Sequence, residues 1–146
     1  MKKIVFVFVL GFFLVSCGGN EASNQGLEVV STFPDGSVKV DQLIKMTDGE
    51  KVAYYKREYY EDGNLHKEGA LKNNQMHGVW KSYYKNGLLW SEGEFDEGVR
   101  NGFANTFHGN GSRYYEGFYT NNVKDSIWRF WRQDGSFIKE IDYRKK

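Results

Sequence analysis

The fold is decided by residues 79–96, which read VWKSYYKNGLLWSEGEFD. Two runs rich in aromatic and β-branched residues, 79–84 and 88–96, flank the dipeptide Asn86-Gly87. Such runs favour β-strands. Asn-Gly between them is the strongest short signal for a hairpin with a type I′ turn, in which both central residues need positive φ. The stretch therefore predicts one antiparallel β-hairpin.

Gly93 interrupts the return strand of this hairpin. A glycine inside a strand often marks a bulge or a place where another group approaches the backbone closely. We expect an aromatic ring from a neighbouring repeat to lie against Gly93. A second turn, near Glu97-Gly98 and reaching Asn101-Gly102, leads into the next unit.

The same pattern recurs at a period of 24 residues. Four glycines that each follow Asp or Asn form a column of structural turns: Gly63, Gly87, Gly111 and Gly135. An aromatic column and a glutamate column keep the same spacing: Tyr59, Tyr83, Phe107 and Trp131, and Glu68, Glu92, Glu116 and Glu140. Repeats of this length indicate one supersecondary unit per period. The sequence predicts an all-β fold, an elongated twisted antiparallel sheet of successive β-hairpins, with units starting at residues 59, 83, 107 and 131.

Composition agrees with strands and excludes some partners. The chain has 17 Gly, one Pro and 17% aromatic residues, and no segment keeps a 3.6-residue apolar period. Apart from Lys2 and Lys3 at the very start, the chain has 18 basic residues against 19 acidic residues, so its charge is nearly balanced. Nucleic-acid binding needs a basic footprint, so we expect no nucleic-acid partner.

Residues 68–80 resemble a MORN repeat, whose motif runs roughly Tyr-Glu-Gly-x-aromatic-x-Asn-Gly and continues to a second Gly-x-Gly. Residues 92–95 with 101–103, and residues 115–122, carry the same pattern. The chain is also similar to the bacterial YwqK-type MORN variants, described as antitoxins of toxin–antitoxin systems, in the runs at 59–63 and 83–87. Departures occur at single positions of the motif: Asn74, Asn122 and Asp125-Ser126. The resemblance covers about residues 59–143 and implies repeats through residue 146.

The first residues are typical of an exported lipoprotein. Lys2 and Lys3 precede an apolar run at residues 4–15, which is too short to span a bilayer and fits a secretory signal peptide. The run ends in Leu-Val-Ser-Cys17, which resembles a lipobox. We expect a signal peptide at 1–16 and a diacylglycerol and acyl anchor on Cys17. Lipidation also explains an unpaired thiol in an exported chain.

The anchor implies a domain held near a membrane. Gly18 after the cysteine favours the outer membrane over the inner one. Residues 17–26 are small and polar and predict a flexible tether. Residues 27–58 lie off the repeat register and predict a degenerate N-terminal hairpin or cap, with Phe33 and Val38 inward.

The titratable residues point to structure rather than catalysis. His66 shares a column with Trp90 and Tyr114, and His108 shares one with Tyr60 and Tyr84, so we interpret these histidines as packing rings. A glutamate column that recurs in every unit indicates pairing with Lys or Arg or with backbone N–H groups. We expect no enzyme, no metal site and no cofactor.

Adjacent aromatic residues point to a binding surface, because neighbouring strand residues face opposite sides of a sheet. The candidate rings are Tyr59, Tyr60, Tyr83, Tyr84, Trp90, Tyr114 and Tyr115. Three functions remain open from the sequence. They are an envelope scaffold that binds a protein partner, the antitoxin or immunity half of a toxin pair, and recognition of envelope glycan or lipid.

Overall fold

The computed structural model describes residues 25–144, which form one open sheet of ten strands. All neighbouring strands are antiparallel and follow one another in chain order. The prediction of an all-β chain of successive hairpins is confirmed. The strands are β1 (Gln25–Thr32), β2 (Val38–Thr47), β3 (Glu50–Tyr59), β4 (Leu65–Lys72), β5 (Gln75–Tyr83), β6 (Leu89–Asp96), β7 (Val99–Phe107), β8 (Arg113–Thr120), β9 (Val123–Trp131) and β10 (Phe137–Asp142).

At one end of the strands, the connections are three-residue loops. In the loop after β5, Gly87 N–H donates to Tyr84 O at 2.9 Å and Tyr84 N–H donates to Leu88 O at 2.9 Å. The same pair of bonds recurs in four other loops: 33–37, 60–64, 108–112 and 132–136. In the four repeat loops the glycine takes the positive φ, with values of 81°, 81°, 86° and 83° at Gly63, Gly87, Gly111 and Gly135.

The predicted type I′ turn at Asn86-Gly87 is wrong. Gly87 has a positive φ but Asn86 does not. Instead, Asn86 Oδ1 accepts a hydrogen bond from the Leu88 backbone N–H at 3.1 Å. An asparagine that caps its own loop in this way favours a three-residue hairpin whose left-handed position is taken by glycine alone.

The type I′ geometry occurs in the turns at the opposite end of the strands. Each two-residue turn there has positive φ at both central residues: Asp48-Gly49, Asn73-Asn74, Glu97-Gly98 and Asn121-Asn122. Asn74 and Asn122, which stand where the repeat motif has glycine, take φ values of 60° and 66°. Asparagine tolerates this region better than other residues with a side chain, so these turns keep their shape without glycine.

The N-terminal part of the described chain continues the same sheet. β1 and β2 form a hairpin, and β3 pairs with β2 on one side and with β4 on the other. The predicted boundary between residues 58 and 59 therefore lies inside β3. Phe33 and Val38 are half-buried. The predicted signal peptide, the predicted lipidation site Cys17 and most of the predicted tether lie outside the described residues.

Alternation along each strand gives the sheet two different faces. The tryptophan face carries Trp80, Ala104 and Trp128, which are 4%, 8% and 1% exposed. The opposite charge face carries Lys81 and the glutamate column. Within residues 25–144, no helix has the length and apolarity required to cross a membrane.

Candidate functional site

Two tryptophans on the tryptophan face lie flat against glycines of the partner strand. A Cβ added at Gly69 would overlap the ring of Trp80, and one added at Gly117 would overlap the ring of Trp128. Each indole N–H donates to a carbonyl beside its glycine, Trp80 to Ala70 O at 2.8 Å and Trp128 to Phe118 O at 3.0 Å. These glycines are needed because an indole occupies the space of their side chain.

The hairpin between these two, β6–β7, lacks this ring, and we call it the middle hairpin. Residue 104 lies 24 residues after Trp80 and 24 residues before Trp128, so it occupies the equivalent position of the repeat, and it is alanine. A Cβ added at Gly93 would meet only Phe103 O at 3.4 Å and Ala104 Cα at 3.9 Å. The prediction that an aromatic ring lies against Gly93 is therefore wrong. Gly93 thus keeps the 24-residue spacing of Gly69 and Gly117, but alanine takes the place of the tryptophan opposite it.

An open hollow of about 350 Å³ lies at this interruption of the tryptophan row. Gly93 and Ala104 lie at its floor, Trp80 borders it on one side, and Tyr115 and Tyr119 border it on the other. The two tyrosines are held in place by Trp128, with ring centroids 5.4 Å and 5.0 Å from the indole. The hollow thus has walls that are anchored in the best-packed part of the sheet.

Polar and charged groups lie at the two ends of the hollow. At one end, three hydroxyl residues are paired across neighbouring strands: Ser82, Ser91 and Thr106. Lys67 lies beside them, with Nζ 5.1 Å from the centre of the Trp80 ring. At the other end, the exposed Arg100 guanidinium lies 5.8 Å from the Phe95 ring and 5.2 Å from the Tyr119 ring.

The charge face carries a row of directly opposed residues across nine strands. In order, the row is Asp41, Arg57, Glu68, Lys81, Glu92, Asn105, Glu116, Arg129 and Glu140. Signs alternate along it except at Asn105. Opposite charges placed directly across a strand pair stabilise that pairing.

The glutamate column has the structural role that the sequence indicates. Glu68 accepts from Tyr83 Oη at 2.8 Å, and Glu92 accepts from Asn105 Nδ2 at 3.0 Å. Arg129 lies 3.2 Å from Glu116 and 3.5 Å from Glu140, and Arg113 also pairs with Glu116. The column therefore stabilises cross-strand contacts.

The electrostatic effects of the row are strongest at its N-terminal half. Arg57 makes a two-bond contact with the buried Asp41, at 2.8 Å and 3.0 Å, and that hydrogen bonding raises the pKa of Arg57. Burial, together with the hydrogen bond to Glu68, raises the pKa of Tyr83 to about 12. The same two causes raise the pKa of Tyr55 to about 12.

Four of the predicted binding rings make structural hydrogen bonds. Tyr59 Oη donates to Asp41 at 3.0 Å, and Tyr83 Oη donates to Glu68. Tyr60 Oη and Tyr84 Oη donate to backbone carbonyls of the next hairpin, those of residues 83 and 107, each at 2.8 Å. These four hydroxyls join elements of the sheet to one another.

The other three predicted rings lie nearer to open surface. Trp90 and Tyr114 are 44% and 43% exposed. They pack on Tyr84 and His108, respectively, beside the three-residue loops. Trp90 and Tyr115 border the hollow. The sequence patterns did not predict the floor of the hollow. The change from Trp80 to Ala104 and back to Trp128, at 24-residue spacing, is the feature that could have indicated it.

The histidines pack as the columns predict. His66 lies 4.4 Å from Tyr60 and His108 lies 4.8 Å from Tyr114, measured between ring centroids. His77 Nδ1 lies 3.2 Å from Asp96 Oδ1. In the part of the chain that the structure describes, no three His, Cys, Asp or Glu side chains gather in a way that suits a metal ion.

Comparison of the chain with protein-family models, with curated proteins and with solved structures finds no match.

Proposed function

We propose that this chain is a non-catalytic binding module, anchored by lipid to the bacterial cell envelope, that binds a protein partner through the surface of its repeats. The observation that carries this proposal is the open hollow at Gly93 and Ala104. Its size lies within the range of roughly 300–1,000 Å³ that is typical of ligand sites. Its aromatic walls and the arginine near one end are residue types that are enriched at protein interfaces.

The distribution of polar groups supports binding over catalysis. Carboxylates of the glutamate column pair with tyrosine, asparagine or arginine, so their position is explained by sheet stability. Most of the tyrosine hydroxyls predicted as binding groups donate to neighbouring strands. The hollow, by contrast, is lined by aromatic rings and by the half-buried hydroxyl residues Ser82 and Ser91.

We assign the repeats to the MORN type, in the YwqK-like variant, as part of the same proposal. Support comes from the sequence columns and from the regular succession of antiparallel strands, in which each three-residue loop of the repeats has a glycine in the left-handed region. In this interpretation the repeat surface is a scaffold on which partner specificity depends on substitutions such as Ala104.

The proposed anchor sets where the partner would be found. The pattern of residues 2–17 supports a lipid on Cys17, and β1 begins at Gln25. A fully extended chain covers at most about 3.3–3.6 Å per residue, so residues 17–24 reach roughly 25–30 Å. The sheet would therefore meet partners that lie at or close to the membrane surface.

Site-specific photo-crosslinking in the native cells tests the proposal. A photo-reactive amino acid replaces Arg100, at the rim of the hollow, or Val79, which is 42% exposed on the charge face. We expect one defined envelope protein to be crosslinked from position 100 and not from position 79. Equal adducts from both positions, or none from position 100, would contradict the proposal.

The variant Cys17→Ser in the same experiment tests the anchor. Without the thiol, no lipid can be attached and the cut before residue 17 should not occur, so acyl-chain labelling should disappear and the unprocessed precursor should accumulate. Acyl-chain labelling that survives Cys17→Ser would contradict the anchor, while the binding surface is judged by the crosslink from position 100.

A further inference from the structure

We propose that the hollow receives one aromatic side chain of the partner, an indole or a ring of similar size, that is flanked by acidic residues. This inference rests on the proposed function and specifies the chemistry of the partner at the same site. The inserted ring would take the place that Trp80 and Trp128 take in the neighbouring hairpins.

The fold itself supplies the template for this occupant. Trp80 covers Gly69 and Trp128 covers Gly117, and both indoles are nearly fully buried in those positions. Gly93 keeps the bare backbone that such a ring needs, yet Ala104 supplies only a methyl group opposite it. A ring brought by a partner would gain the packing that the two internal tryptophans already have.

The hydrogen-bonding pattern extends the template. The internal indoles donate to the carbonyls of Ala70 and Phe118, each one residue beyond the covered glycine. The corresponding residue of the middle hairpin is Glu94, which borders the hollow. An indole seated over Gly93 would have this backbone carbonyl as its acceptor, which favours tryptophan over phenylalanine.

The charges at the ends of the hollow indicate what flanks the ring. Lys67 and the exposed Arg100 lie near opposite ends, beside Trp80 and Tyr119 respectively. Glu58 is also at the Lys67 end, where it pairs with Lys56 at 2.8 Å. Carboxylates beside the inserted ring would lie near two cations, whereas an uncharged glycan would gain nothing from them. Complementary charge of this kind mainly increases specificity and association rate.

The test uses the full-length chain in detergent and three probes. These are the capped peptide Glu-Trp-Glu, the matched peptide Glu-Ala-Glu, and a chitin trisaccharide as an uncharged glycan. Binding is followed by NMR through the backbone amides of Gly93 and Thr106. We expect the tryptophan peptide alone to shift these amides, with saturation in the millimolar range.

Substitution of the floor residue is the decisive variant. Ala104→Trp should fill the hollow with the side chain that the neighbouring hairpins use, and should weaken binding of the tryptophan peptide at least tenfold. Val79→Trp, which adds the same side chain on the opposite face, should leave binding unchanged. Ala104→Leu gives a second, smaller filling if the tryptophan variant does not fold, as judged by its thermal transition.

Several results would overturn the inference. Unchanged peptide binding in a folded Ala104→Trp chain would do so, as would equal binding of the alanine peptide or stronger shifts with the trisaccharide. Self-association of the wild type that is lost in Ala104→Trp would assign the ring to a second copy and overturn it too. A crosslink from position 100 that persists in Ala104→Trp would refute ring insertion while the proposed function stands.

Discussion

The middle hairpin, β6–β7, and the two hairpins beside it, β4–β5 and β8–β9, have the same backbone plan but different surfaces. All three begin after a three-residue loop and close with a two-residue turn whose residues have positive φ. The flanking hairpins bury an indole on one face and place arginine or lysine in the charge row on the other. The middle hairpin has Ala104 and Asn105 at those two positions.

In these hairpins, strand pairing depends on the backbone, whereas the chemistry of each face depends on the side chains. Backbone hydrogen bonds continue through β7 on both sides, so the sheet does not depend on either missing side chain. Because adjacent strand residues face opposite sides, two neighbouring substitutions change both faces at one strand. A continuous sheet can thus carry one local site without any change of topology.

The largest difference in stability between the hairpins is expected on alanine substitution of the strand glycines Gly69, Gly93 and Gly117. In Gly69→Ala or Gly117→Ala the new methyl group would overlap a buried indole, and overpacking of this kind costs about 1–3 kcal/mol of unfolding free energy. Gly93→Ala meets nothing closer than 3.4 Å and should change stability by less than about 0.5 kcal/mol. Urea unfolding of the three variants measures the difference, and equal losses at all three positions would refute it.

Alkaline pH should distinguish Tyr83 from its counterpart in the middle hairpin, Phe107, which has no hydroxyl. Burial and the Glu68 hydrogen bond raise the pKa of Tyr83 to about 12, above its ordinary value of 10.0. A group whose folded pKa is raised stabilises the fold fully below its unfolded pKa, and this stability is lost as pH rises through the folded value. The loss should therefore occur between about pH 10 and pH 12.

The variant Tyr83→Phe checks this expectation. Tyr55 has the same direction and size of pKa shift, and the pKa of Tyr59 is raised too, so removing the Tyr83 hydroxyl should remove a part, at most about half, of the tyrosine-linked loss. Urea midpoints at pH 9.5 and about pH 11.5 give the measurement, with Tyr114→Phe at an exposed ring as the control. Identical alkaline loss in wild type and Tyr83→Phe would contradict the role of the buried hydroxyl.

The smallest expected effect is at Asn105. Asn105→Lys would restore the missing cation between Glu92 and Glu116, at the expense of the 3.0 Å hydrogen bond from Asn105 to Glu92. Because partly exposed ion pairs contribute about 0–1 kcal/mol, the gain should fall in that range and should vanish in about 1 M salt. Asn101→Lys, on an exposed site of the same strand, is the matched control. A gain that survives high salt would show that the effect is not electrostatic.

Sequence patterns predicted the larger features because those features are repeated. The columns at Gly63 and Tyr59 predicted hairpins, and the glutamate column predicted pairing. The partners of that column depend on strand register, and a shift of one residue would move every side chain to the other face. At Asn86 the turn type was wrong because a side-chain hydrogen bond within the loop competed with the Asn-Gly preference.

The hollow could not be predicted in the same way, because it arises where a repeated side chain is missing. Gly93 predicted a close approach, but only the partner strand decides which residue approaches. Register places Ala104 there, and alanine leaves open what tryptophan fills on either side. The lesson for repeat sequences is that a column is most informative at the position where it changes.

The strand order, in which every element pairs only with its neighbours in the chain, has a consequence for how the protein acquires its structure. All strand pairings of residues 25–144 join strands that are consecutive in the chain. Such a topology has low contact order for a β protein, and low contact order is associated with fast folding. Each hairpin can add to the one before it as in other linear repeats. A chain with this strand order can therefore assemble progressively, one hairpin after another, from either end.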